Sequence, residues 1–80
     1  MYFAVKDVKP EKDYFLLLTF ESGEKKRFDM KPYLDIGIFK ELKDLEIFNS
    51  VYKSFDTVEW CNEADIDPEI LYKEGVSITE

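Results

Sequence analysis

The sequence predicts an α+β domain: an antiparallel N-terminal hairpin sheet, short helices and a second β-hairpin. Three observations predict it. Residues 14–30 alternate apolar and polar around Ser22 and Gly23, the pattern of two strands and a turn. Ile38, Phe39, Leu42, Leu45 and Phe48 recur at spacings near three and four, the period of a helical stripe. Residues 51–60 hold two more strand-like runs, and Asp67, Pro68 and Glu69 beyond them form a helix start.

A chain of 80 residues accommodates one domain, which we place at residues 1–74, with 75–80 as a C-terminal tail or short edge strand. A domain this small buries roughly 60 to 65% of the surface its unfolded chain exposes, so its core is thin. Apolar residues make up 45% of the chain and aromatics 16%, enough for burial to offset the entropy of ordering the backbone. Seven Phe, five Tyr and one Trp are more rings than such a core can house. The surplus points to an interface.

In chain order, residues 2–8 form a strand-like run, with Phe3 and Val5 on one face, and residues 9–13 form a polar breaker. Tyr14, Leu16, Leu18 and Phe20 then share one strand face by period two, while Phe15 and Leu17 take the other. Apolar residues on both faces imply a central strand, or an outer face that meets a partner. Gly23 supplies the reversal, because glycine tolerates the positive φ that hairpin turns need. A two-residue loop sets Phe28 opposite Leu17; a three-residue loop from Glu21 to Gly23, with a bulge, sets it opposite Leu16. The second keeps Tyr14, Leu16, Leu18, Phe28 and Met30 on one face and is the register we expect. After Asp29, Pro32 opens a short helical turn over residues 31–34 and Gly37 ends it. The apolar stripe follows, divided at Asp44, a good N-cap. Residues 51–55 and 57–60 read as strands around Asp56. Asp67 caps the last helix and Gly75 stops it.

The formal charge is −7, from 18 acidic and 11 basic residues. Nucleic-acid affinity rests on neutralising phosphates with Lys and Arg, so this balance argues against DNA or RNA as ligand. The run Lys25, Lys26, Arg27 is the contrary sign, but alternation along a strand divides it between two faces. A basic partner protein suits the charge better. The single cysteine, Cys61, rules out an intramolecular disulfide framework. Lys6 and Asp7 interrupt the N-terminus before an apolar signal region can form, and the longest apolar run, residues 14–18, is far too short to span a bilayer. A cytoplasmic protein without membrane association is the expectation.

The chain has no histidine, the commonest general base and metal ligand. Cys61 lies between Glu59 and Glu63, a setting that disfavours a thiolate, and reads as a buried or half-buried inert thiol. Asp65 and Asp67 form a D-x-D pair, but Pro68 follows where a calcium loop would supply further ligands and a glycine. Capping by Asp67, the favourable placement of Glu69 at a helix N-terminus, and a backbone tie from Asn62 or Asp65 account for these residues structurally. We therefore expect no catalytic residue, no metal and no cofactor. Trp60 and Phe39 read as core, and Phe15 and Leu17 as surface candidates.

The Ser22–Gly23 turn, Phe28 with Asp29, Pro32, Leu34, Gly37, Phe39, Leu42, Phe48, Val58, Trp60, Asn62, Ala64 to Ile66 with Asp65 among them, Pro68, Leu71 and Tyr72 together resemble a bacterial family catalogued as domain-of-unknown-function family 2442. The likeness covers residues 2–72. Glu63 departs from it, since members commonly have Gly there. The resemblance implies a compact α+β fold with three N-terminal strands, short helices and a further hairpin. It also implies a small protein often encoded beside another, as in toxin and antitoxin pairs, here without the helix-turn-helix that some members carry. The function we expect is an antitoxin-like, protein-binding module, holding a basic partner or a second copy. Phe15 and Leu17 would form its desolvated centre, with Glu59, Glu63 and Glu69 at the rim. The alternative is a small-ligand sensing or regulatory domain with a pocket between the sheet and the 38–48 helix.

Overall fold

The computed structural model describes residues 3–78. Tyr2, with which the expected first strand begins, and Thr79 and Glu80 of the expected tail lie outside them. The strands are β1 (Val5–Glu11), β2 (Phe15–Phe20), β3 (Lys25–Asp29), β4 (Tyr52–Ser54), β5 (Thr57–Glu59), β6 (Asp65–Ile66) and β7 (Val76–Ser77). The helices are α1 (Leu45–Phe48) and α2 (Pro68–Glu74), and 3₁₀ turns occupy Lys12–Tyr14, Lys31–Tyr33 and Gly37–Lys43. Two antiparallel sheets result, one ordered β1-β2-β3-β7 and one ordered β4-β5-β6, which makes the fold α+β.

β2 alternates as its sequence dictates. Leu16, Leu18 and Phe20 are buried, whereas Phe15, Leu17 and Thr19 are half-buried on the opposite face. Phe28 faces Leu16 in the β2–β3 ladder, the register of the three-residue loop. That loop closes with Phe20 N donating to Glu24 O at 2.9 Å and Gly23 N to Phe20 O at 2.9 Å, and Gly23 takes φ +92°. On β3, alternation divides the basic run: Lys26 is buried and its neighbours are exposed. Lys26 Nζ donates to Tyr72 O at 2.6 Å and lies 3.7 Å from the Tyr72 ring centroid, joining the sheet to the last turn of α2.

Residues 9–13 do not break the first strand. β1 continues through Lys9, Pro10 and Glu11, which pair with Leu17, Leu16 and Phe15. β1 lies at the sheet edge, where proline's missing N–H need cost no ladder bond. The reversal falls on Lys12–Tyr14, with Asp13 at φ +59° and Tyr14 at φ +63°. Tyr14 is held there by its ring edge on Phe48, 5.2 Å between centroids, and by its hydroxyl donating to Lys43 O at 2.6 Å.

The expected helical stripe is also corrected. Gly37 opens a 3₁₀ segment rather than ending the preceding turn, and the chain becomes extended at Asp44 before α1 begins. The 3₁₀ period of three keeps Phe39 and Leu42 on the core side, and Phe48 returns to the core in α1. Ile38 and Leu45 fall off the stripe and are 45% and 56% exposed. Asp44 does cap α1, its Oδ1 accepting from Glu46 N at 3.0 Å.

Trp60 fills the centre of the molecule, fully buried, with Nε1 donating to Phe48 O at 3.0 Å. Met30, Leu42, Phe48, Val58, Leu71 and the inner face of the larger sheet belong to the same core cluster, and the Phe39 ring meets Trp60 edge-on at 6.4 Å between centroids. The chain beyond Trp60 does not stop at a hairpin but turns through residues 61–64 into β6, which adds a third strand beside β5. Asp67 caps α2 by accepting from Glu69 N at 2.8 Å, and Pro68 occupies the first turn. Residues 76–78 join the sheet as an edge strand: Arg27 pairs with Val76, Lys26 with Ser77, and Ile78 N donates to Lys25 O at 3.0 Å. Among the described residues no helix is long and apolar enough to cross a membrane.

Candidate functional site

An antiparallel sheet packed on one face leaves the other to solvent, and that face is ordinarily polar. Here the register sets Phe15, Leu17 and Thr19 on the outer face of β2, with Glu11, Lys9 and Asp7 opposite them on β1 and Asp29, Arg27 and Lys25 on β3. Val76, paired with Arg27, continues the outer face onto β7 and is 70% exposed. The resulting stripe of Phe15, Leu17 and Val76 crosses the sheet under charged side chains. Arg27 Nε donates to Glu11 Oε1 at 2.7 Å, and this bond and the Glu11 charge raise the arginine's pKa further. Lys31 Nζ lies 4.1 Å from the Phe15 ring centroid. Phe15 and Arg27 form a ridge between two shallow depressions. One, about 810 Å³, is lined also by Pro10, Glu11, Lys12, Leu45 and Asn49; the other, about 320 Å³, by Val76, Ser77 and Ile78.

The acidic candidates stand elsewhere. Glu59 pairs with Tyr52 and Asp65 across the smaller sheet, on the face opposite buried Val58 and Ile66. Partial desolvation and the charges of Glu59 and Glu63 raise the pKa of the Tyr52 phenol. Glu69 lies on α2 in an ion pair with Lys73 at 2.6 Å. The side chains lining the depressions beside Phe15 include none of the three. Cys61 is exposed rather than buried, because β5 ends at Glu59 and the turn that follows carries the thiol outward.

The motif residues hold backbone. Asp29 Oδ1 accepts from Lys31 N at 2.9 Å and leads into the 3₁₀ turn that contains Pro32. Asn62 Oδ1 accepts from Ala64 N at 3.1 Å, so Asn62 ties the loop, whereas Asp65 is exposed on β6. Glu63 takes φ +70° within a turn closed by Trp60 N donating to Ala64 O at 2.9 Å. Phe55 falls at the end of a strand-like run in the sequence. Phe55 sits at the tip of the β4–β5 hairpin, 90% exposed, at φ +54°. Its position between two strand-like runs was the available signal.

Fold and surface together define a small two-sheet α+β domain whose larger sheet buries one face in the core and turns a partly apolar face to solvent. The chain belongs to the family described as protein of unknown function (DUF2442), whose model matches residues 5–77. No curated protein and no solved structure matches it.

Proposed function

We propose that the chain is a protein-binding module and that its contact surface is the outer face of the four-stranded sheet. The observation that carries this reading is the stripe of Phe15, Leu17 and Val76 on that face. Phe15 and Leu17 are half-buried and Val76 is 70% exposed, so a partner that covers this face takes further apolar area out of water. Doing so contributes about 25 cal/mol per Å² of apolar area. The competing small-ligand reading places a pocket between the sheet and residues 38–48, where Leu42, Phe48 and Trp60 fill the interior and the depression that Leu45 lines with Phe15 lies open at the surface. That packing favours the protein partner. The resemblance to small proteins encoded beside another supports an antitoxin-like role in the cytoplasm, with the neighbouring gene's product as partner. Binding kinetics of that product on the immobilised chain test the proposal. Phe15→Ala and Leu17→Ala should each speed dissociation by about tenfold, the consequence of removing a central apolar anchor. Unchanged dissociation in both variants would refute the face assignment.

A further inference from the structure

The two edges of the larger sheet are built differently. β1 carries Lys6, Asp7, Lys9 and Pro10, and its Val5 N donates to Asp56 O at 2.8 Å. Charge, proline and cover are the devices that keep a sheet edge from pairing with a foreign strand. β7 carries no charge and no proline, and among the described residues none pairs with its outer side. Val76, Ser77 and Ile78 are uncharged and suited to extended structure, and among the described strands β7 pairs with β3 alone. Backbone groups alternate in direction along an antiparallel strand. Since Ile78 N donates to Lys25 O, the N–H and C=O of Ser77 are turned away from β3, toward the open side.

Beside that edge lies the depression of about 320 Å³ lined by Phe15, Arg27, Val76, Ser77 and Ile78. A strand added at an edge is held by main-chain hydrogen bonds and selected by pockets for alternate side chains. Charge decides which side chains fit. Lys25 and Arg27 occupy the outer face of β3, next to the edge; on the same face Glu11 reaches Arg27 from β1 at 2.7 Å, and Asp29, at the far end of β3, is paired with Lys31 at 3.2 Å. Arg27 commits Nε to Glu11, and a guanidinium carries four further N–H donors with which it can bind a second carboxylate.

We propose that the β7 edge is a strand-addition site for an extended, acidic segment of a partner protein. Within that segment an apolar residue seats in the Phe15–Val76 depression, and a carboxylate two positions along meets Lys25 or Arg27. This deepens the protein-binding reading and rests on it. It also makes the partner locally acidic at this face, although the chain's net charge of −7 favours basic proteins at long range.

The test titrates the isotope-labelled protein, followed by its amide resonances, with a short peptide in which valine and glutamate alternate between threonines. Two controls are the same peptide with lysine for glutamate and the acidic peptide N-methylated on alternate backbone nitrogens. Shifts at Val76, Ser77, Ile78, Lys25 and Arg27, binding about tenfold weaker for the lysine peptide, and loss on N-methylation support the site. No shift at Ser77 with millimolar acidic peptide, or equal response to the lysine peptide, overturns it. Protection of the Ser77 amide that grows with protein concentration alone would put a second copy on the edge and overturn it as well. Ser77→Pro removes the outward N–H while leaving the bonds to β3, and it should abolish the peptide response. Against the neighbouring gene product, retained binding by Ser77→Pro with loss in Phe15→Ala would refute the edge and leave the face standing. Retention in both would instead sink the face reading.

Discussion

Single residues in this chain are decided by backbone geometry more than by side-chain chemistry. Gly23 holds φ +92° at the hairpin tip, with open space where a Cβ would project, so a substitution there costs conformation rather than contact. Gly23→Val should lower stability by about 1 kcal/mol or more, and Ser22→Asn should be neutral or slightly favourable; equal melting temperatures for Gly23→Val and the parent would contradict the turn. Glu63 is the converse case. It occupies a left-handed conformation, φ +70°, at a position where the resemblance leads one to expect glycine. Glu63→Gly should therefore raise the melting temperature, by at most about 1 kcal/mol of stability, because glycine's larger unfolded-state entropy offsets part of the relief. A lower melting temperature would show that the Glu63 side chain stabilises the turn. Gly75 is needed for a different reason. Its φ of −69° suits any residue, yet a Cβ would stand 2.6 Å from Leu71 O and 3.2 Å from Lys26 Cβ. Gly75→Ala should destabilise the junction of α2 and β7, seen first as faster amide exchange at Val76 and Ser77.

At the scale of elements, the joint between β3 and α2 is the one that the sequence hides best. Alternation sets Lys26 on the opposite face from Lys25 and Arg27 but names no partner for it, and its ammonium is held at the end of α2 by Tyr72 O and the Tyr72 ring. A cation near helix carbonyls is favoured by the dipole, and a charge-assisted hydrogen bond is stronger than a neutral one. Lys26→Met keeps the apolar stem and removes the charge, so it isolates this contribution. The expected loss is about 1–3 kcal/mol, read as a lower urea midpoint with an unchanged slope. A midpoint equal to the parent's would mean that the stem alone holds the helix on the sheet.

Across the whole molecule, tyrosine hydroxyls tie distant segments together and give stability an alkaline limit. Tyr33, in the turn after β3, donates to Glu74 at the end of α2 at 2.5 Å, which pushes the phenol up to about 12. Tyr72 donates to Glu24 at 2.6 Å and is likewise raised, chiefly by that bond. Both phenols bind their protons more tightly folded than unfolded. The stability they contribute is therefore fully present below the ordinary tyrosine value of about 10 and is lost as pH rises through the folded values toward about 12. Melting temperature should fall across that window, and tyrosinate absorbance should show late-titrating groups. Glu74→Gln should bring Tyr33 back toward its ordinary value and move the onset of ionisation to lower pH. Ionisation of all five tyrosines at the ordinary value would exclude these contacts.

What the sequence determined by itself was local. Period two on β2 settled which side of Leu16, Leu18 and Phe20 is the core, and that demand selected the register opposite Phe28, because a one-residue slip would have turned an apolar row to water. Asp44 and Asp67 announced their helices because a cap bonds within its own turn. The tertiary structure decided whatever depends on a distant neighbour. Pro10 remains in a strand because β1 is an edge, and Ile38 and Leu45 face outward because the chain changes helical period near Asp44. The stripe around Phe15 was half legible: its residues followed from alternation, but its border did not. Glu59 pairs with Tyr52 on the other sheet and Glu63 lies in the turn after it, and the basic neighbours of Phe15 and Val76 come together only when β7 docks on β3. Alternation assigns a side chain to a face, and strand pairing across nearly the whole chain decides what else shares it.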